Sequence, residues 1–411
     1  MRILIYGLNF APEPTGIGKY SGEMAAWLAA RGHQVRVVTT PPYYPAWQVD
    51  PQYCAWHYRR ETWAGVQIWR CPLWVKKQPS GLERLLHLLS FALSSLPVML
   101  RQILWHADVV IVIEPAFFCT PMALITARLG GSRAWLHIQD FEMDAAFELG
   151  IIPKKLKGFV ANLEQWLTQS FDRISTISPG MLARLAEKGI PKSKQVLFPN
   201  WVDIHHIYPL NHPSPMRAEL GIPDDSVVIL YSGSMGKKQG LEVLLQVANQ
   251  YRDQKGVIFI LCGDGVARPD LETLADQLQL SNLMWLPLQP RERLNHLLNL
   301  ADIHALIQKE ASADLVMPSK LTGMLASGRP VVATALPETT IGQVMTAADC
   351  GCLVPPDQPD ALYAALQQMI GDPERRRIWG VNARRYACEH LGQEQILSRW
   401  LESLEELVIV R

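Results

Sequence analysis

Short apolar runs alternate with amphipathic stretches along almost the whole chain, and this alternation constrains the fold more than any single motif. Residues 3–6, 34–38, 109–113 and 134–138 predict buried strands, as do 227–231, 257–262, 303–306 and 331–333. Between them, helical spacing of apolar residues occupies 19–30, 122–129, 241–251, 291–300 and 360–370. A strand, a helix and a second strand in that order make a right-handed crossover, and repetition gives a parallel sheet covered on both faces. The strands are too many for one sheet of ordinary width, so the expected fold class is α/β with two doubly wound domains. The break falls within 203–223, where Pro209, Pro213, Pro215 and Pro223 interrupt any periodicity and a strand follows directly. Beyond about residue 371 only helices are expected. The resulting division is 1–205, 206–383, and 384–411 as helices packing back on the first domain. In open parallel sheets ligands bind at the carboxyl ends of the strands, so two such sheets facing a common cleft direct attention to residues just after strands.

Five segments meet that condition. Pro12-Glu-Pro-Thr-Gly16-Ile-Gly18 links the first strand to the first helix, and its glycines are either a helix-start turn or a phosphate cradle. It lacks the third glycine of GxGxxG, which disfavours a nicotinamide dinucleotide. Leu136-His137-Ile138-Gln139-Asp140 ends a strand; His137 reads as a core histidine or a ligand contact, and Asp140 stands just past the strand end. Phe198-Pro-Asn200-Trp is followed by Tyr231-Ser-Gly233-Ser234-Met-Gly236-Lys237-Lys238-Gln-Gly240, a glycine-rich loop with two lysines that suits a diphosphate. The Walker spacing is absent, so an ATPase reading fails. Gly263-Asp-Gly265 is a tight turn or a ligand contact. Finally, Glu310 and Asp314 precede Pro318-Ser319-Lys320, where a helix start offers a seat for phosphate or a ribose oxygen.

Together TGIG, FPNWVD, the glycine-lysine loop, GDG and PSKL…MLASGRPVVAT resemble the retaining GT-B glycosyltransferases of bacterial exopolysaccharide and lipopolysaccharide synthesis, in order over about residues 1–400. TTPPYYP and PSKL point more narrowly to fucosyltransferases of the colanic-acid type. The resemblance implies two Rossmann-like domains, with a nucleotide-sugar donor held mainly by the second and no cofactor or metal required. By its motifs, Gly16, Gly18, His137, Asn200, Ser234, Gly263, Gly265, Asp314, Ser319 and Lys320 are the expected donor contacts, and Asp140, Lys237 and Lys238 the catalytic set. Many relatives carry Arg where this chain has Ser234 and Lys where it has Gln239, so Lys237 and Lys238 are expected to take over. The glutamate pair common near PSKL falls here on Leu315 and Gly323, leaving open which group holds sugar and ribose. That gap keeps two other readings in play: a non-catalytic scaffold, and an epimerase or hydrolase on the same fold.

Charge bears on the acceptor. The chain has 39 basic and 39 acidic residues, but residues 1–205 carry 21 and 15, and residues 31–101 alone carry nine and three. The balanced total argues against nucleic acid as a partner. The local excess coincides with Trp47, Trp56, Trp63, Trp69, Trp74 and the apolar stretch 85–100, which is too short and too interrupted for a spanning helix. Basic residues with shallowly inserting aromatics suit an anionic membrane surface; the same helix read as core leaves the tryptophans to line an acceptor groove. The expected partners are a nucleotide sugar, by the resemblance GDP-fucose, and a lipid-linked saccharide at the inner face of the cytoplasmic membrane. Scattered cysteines without a CxxC spacing are expected to be reduced thiols.

Overall fold

The computed structural model describes residues 1–115, 117–141, 157–309 and 319–409. Two compact units divide the chain, one of residues 1–198 with 397–411 and one of residues 199–396. The division falls earlier than residue 205, and residues 384–396 stay with the second unit, which corrects the expectation that everything past 383 packs on the first. Arg384 is one reason: its guanidinium donates to the carbonyls of Ile204, Ile207 and Ala326 at 2.8–2.9 Å. A bridge between Val202 and Gly392 is another.

In the first unit the strands are β1 (Arg2–Tyr6), β2 (Gln34–Thr39), β3 (Arg59–Trp63), β4 (Val66–Arg70), β5 (Val109–Glu114), β6 (Arg133–Ile138), β7 (Arg173–Thr176) and β8 (Gln195–Leu197). They lie in the order β3-β4-β2-β1-β5-β6-β7-β8. All pairs are parallel except β3 with β4. That hairpin turns through Ala64 and Gly65, both at positive φ (47° and 79°), the backbone a two-residue hairpin turn requires. Strand order reverses between β1 and β5, so the loops after these strands are where a doubly wound sheet opens for a ligand.

The second unit holds β9 (Val227–Ser232), β10 (Val257–Cys262), β11 (Leu283–Leu286), β12 (Ile303–Leu306), β13 (Val331–Thr334) and β14 (Gly351–Val354). Their order is β11-β10-β9-β12-β13-β14, all parallel, with the reversal between β9 and β12. Valine, isoleucine and leucine runs such as Val-Ile-Phe-Ile-Leu in β10 are buried because helices cover both faces.

The C-terminal helix Gln393–Ile409 supplies Trp400 to the first unit. Its indole stacks on Phe198 (centroids 4.7 Å, planes 8° apart) and meets Trp135 edge-on at 5.9 Å. Removing a buried ring of this size leaves a cavity that costs about 3–5 kcal/mol. Trp400→Ala should therefore lower the first unit's free energy of unfolding by about that amount, read from the shifted denaturant midpoint in near-ultraviolet circular dichroism, with the second unit's transition unmoved.

Candidate active site

The loops after β9 and β10 are built into one another. Gly233 N–H donates to Cys262 O at 2.8 Å, Met235 N–H to Asp264 O at 2.8 Å, and Ala267 N–H to Met235 O at 2.9 Å. A Cβ on Gly263 would lie 1.9 Å from Gly233 O, and one on Gly265 would lie 2.4 Å from Met235 O. Both glycines have φ near +150°, so neither space nor backbone admits a side chain. Gly263 and Gly265 thus act first as the bed on which the β9 loop lies. Arg268 secures this bed by donating to Gly263 O at 2.7 Å.

Against the β9 loop lies Lys320, second residue of the helix Ser319–Ala326. Its ammonium donates to Tyr231 Oη at 2.5 Å and Ser234 O at 3.3 Å, and sits 4.4 Å from the Tyr231 ring centroid. A Cβ on Gly233 would strike the Lys320 side chain at 2.4 Å, so this glycine makes the lysine's passage possible. The partners that hold the ammonium are neutral oxygens and a π face, and burial pulls its pKa down to about 8. An ammonium so placed at the carboxyl end of a strand, beside a helix N-terminus, is arranged to meet an anion.

Lys237 and Lys238 stand elsewhere. They are exposed on the outer turn of the loop, where Lys238 O accepts from Lys309 N–H at 3.2 Å. Gln239 does not carry charge to the loop; its Oε1 accepts Gly236 N–H at 2.9 Å and closes the turn. Lys309, just past β12, lays its side chain over Gly240, where a Cβ would meet Lys309 Cγ at 2.7 Å. Lys309 stands just after a strand, but no glycine or helix start beside it in sequence marks the position. Ser234 and Ser319 are exposed at the same rim, and Asn200 is buried at the start of the second unit. Gly323, where relatives carry a glutamate, packs its Cα toward Leu298. Glu310, Asp314, Leu315 and Pro318 lie outside the described residues.

In the first unit the expected residues separate. His137 is in the core: its Nδ1 is 2.9 Å from Ser175 Oγ, Phe198 covers its ring at 4.9 Å, and burial pulls its pKa down to about 3. A neutral enclosed imidazole serves packing, which corrects its place among the donor contacts. Asp140 is exposed just beyond β6. Gly16, at φ +63°, faces the Tyr44 ring, and Gly18 begins its helix so close to Glu13 that a Cβ would fall 2.2 Å from the carboxylate. Glu13 itself, an acid between two prolines after a strand, carries no local motif beyond that placement.

Replacing Lys320 by alanine should weaken binding of inorganic pyrophosphate by about tenfold or more, the scale of a charged hydrogen bond. The ammonium is present below its pKa and lost above it, so wild-type affinity should fall as pH rises through about 8. Calorimetric titration of the variant across the same range should show no such fall.

The chain as a whole is similar to known enzymes. Residues 15–201 match the glycosyl transferase 4-like domain and residues 214–386 the glycosyl transferases group 1 domain. WcaI of Escherichia coli (strain K12), named as a colanic acid biosynthesis glycosyl transferase, is 43% identical over 98% of this chain and 100% of its own length. Among solved structures, sucrose-phosphate synthase from Thermosynechococcus elongatus superposes with a TM-score of 0.78 at 17% identity, covering 100% of both chains. HepE from Anabaena, solved with UDP, gives 0.70 at 15% identity over 99% of this chain and 100% of its own. With both domain matches in order and a full-length relative at this identity, the chain belongs to the GT-B glycosyltransferases.

Proposed function

We propose that this enzyme transfers a hexosyl group, fucose from GDP-fucose, to a lipid-diphosphate-linked saccharide in colanic acid synthesis, with retention of anomeric configuration. The observation that carries the donor half is the β9 rim, where Lys320 and the start of its helix converge on a loop that only glycines can build. The similarity to WcaI supports the pathway. In the reaction an acceptor hydroxyl oxygen bonds to the anomeric carbon on the face the donor leaves. The carbon–oxygen bond to the nucleoside diphosphate breaks, its electron pair departs with the diphosphate, and the hydroxyl proton passes to a diphosphate oxygen. Charge grows on the leaving group, so an ammonium and backbone N–H groups fixed there stabilise the transition state more than the ground state. Lys320 is the residue of this chain best placed for that task, with Lys309 beside the same loop.

Radiolabelled transfer from a panel of nucleotide sugars into lipid extract tests this. Label from GDP-fucose should enter the lipid fraction, and the new linkage should carry the donor's anomeric configuration by nuclear magnetic resonance. Free sugar or an epimer would instead indicate a hydrolase or epimerase, and nucleotide binding without turnover a scaffold.

The same reading places the enzyme at an anionic leaflet. The helix Gly81–Ile103 is long and apolar enough to cross a membrane by length and composition, but its inner face is committed to the first unit. His87 bonds to Trp74 O, Ser90 Oγ accepts Trp74 N–H, and Ser95 Oγ meets Tyr6 Oη at 2.5 Å. The polar residues that interrupt the apolar stretch are therefore its anchors. Its outer face exposes Leu82, Leu86, Leu89, Leu93, Leu96 and Leu100, with only Pro97 among them and Arg84 and Arg101 near the two ends. Ile125 and Leu129 extend this surface from the neighbouring helix Thr120–Gly130. An apolar stripe ended by arginines suits a helix lying in the headgroup boundary. Vesicles containing anionic phospholipid should sediment the protein, less so at high salt, and the pair Leu89→Asp and Leu93→Asp should abolish binding. Equal binding to neutral vesicles would contradict the charge component, and retention by the double variant the helix.

A further inference from the structure

The first unit buries a carboxylate that neither the donor site nor the membrane face uses. Glu13, 4% exposed, lies in the loop after β1. Its Oε1 accepts the backbone N–H groups of Tyr43 and Tyr44 at 3.1 and 3.0 Å, and its Oε2 accepts Asn9 Nδ2 at 3.0 Å. Tyr43 and Tyr44 belong to the loop after β2, so one side chain joins the loops of two adjacent strands. Arg70, at the end of β4, ties the same loops by donating to Ala11 O at 2.7 Å and Thr40 O at 2.8 Å. Its charge is matched by Glu61 at 2.5 Å rather than by Glu13. The tyrosine loop is itself seated on the leucine helix, with the Tyr43 ring 4.8 Å from His87.

We infer that Glu13 is a positioning residue for the acceptor: its side chain locks the loop 11–15, which leads into the helix Gly16–Ala30, to the corner 41–45, so that both present one preformed rim to the incoming saccharide. Two neutral links would be cheaper to bury than a carboxylate; a charge-assisted acceptor holds a pair of N–H groups more tightly. The inference rests on the glycosyl-transfer reading for its substrate, but the clamp itself does not depend on it.

Burial outweighs the hydrogen bonds from Tyr44, Asn9 and Tyr43 and the field of Arg70, and raises the Glu13 pKa to about 7. The other titratable group facing it, Tyr44, is raised in turn by burial and by Glu13. The folded chain therefore keeps this proton at pH values where the unfolded chain has released it. Glu13 stabilises the fold fully only below the ordinary carboxylate range, and that contribution is lost as pH rises through about 7. A residue whose ionisation weakens the fold is retained for something other than stability.

Two arms test this on the full chain. In hydrogen exchange, the Tyr43 and Tyr44 amides should be protected in wild type, less so at pH 8 than at pH 6 once the intrinsic pH dependence of exchange is removed, and should exchange at least about tenfold faster in Glu13→Ala. In steady-state transfer, Glu13→Ala should lower kcat/KM for the acceptor about tenfold or more while donor KM stays within about twofold. Glu13→Gln should give an intermediate value that lacks the wild-type fall above pH 7, and should be no less stable than wild type at pH 8. Exchange rates unchanged by Glu13→Ala would overturn the clamp. Faster exchange with an unchanged acceptor KM would overturn its role in positioning. If no donor supports transfer even in wild type, the function fails while the exchange arm still judges the clamp.

Discussion

At the carboxyl ends of β9 and β10 there is room for backbone and nothing else. The carbonyls of Gly233 and Met235 occupy the space where side chains of residues 263 and 265 would begin. Because the β10 turn can be flat, the β9 loop can lie on it; because Gly233 has no side chain, Lys320 can pass over it to Tyr231 and Ser234. The position of the Lys320 ammonium thus follows from three glycines. None of the three contributes a functional group, yet the electrostatics of the rim depends on all of them.

The first unit uses a different device for the same end. Its rim is held by buried charge: Glu13 and Arg70 each bond to two loops, and their charges are not simply spent on one another. Through Tyr43 and His87 this rim rests on the inner side of the helix whose outer side is a row of leucines. The proposed membrane face and the proposed acceptor rim are therefore two sides of one continuous packing arrangement. A lipid-borne substrate would be delivered at the element that supports the loops meant to receive it.

Much of this was legible before any coordinates. Strand–helix alternation predicts both sheets, and β10 and β12 fall where their apolar runs begin and end. Short or polar strands were not legible: β3 is Arg-Arg-Glu-Thr-Trp and mostly exposed, so it has no apolar run to find, and only Ala64-Gly65 hints at a turn. At the site, the glycine loop and Lys320 could be read because glycines and helix starts have local signatures. Lys237 and Lys238 are exposed on their turn, and adjacency in sequence says nothing about which side of a turn faces a ligand. His137 misled because alternation identifies a strand face but not what covers it; Phe198, sixty-one residues later, does. Glu13 and Arg70 work only through partners far along the chain, and no spacing rule reports those.

The account turns on the β9 rim of the second unit as the seat of the donor's diphosphate. Hydrogen exchange of the full chain with and without a saturating nucleoside diphosphate measures this most directly. New protection should be concentrated in residues 232–240 and in the first turn of the helix Ser319–Ala326, and should diminish in Lys320→Ala. Saturation without protection in those segments, or protection confined to the first unit, would contradict it.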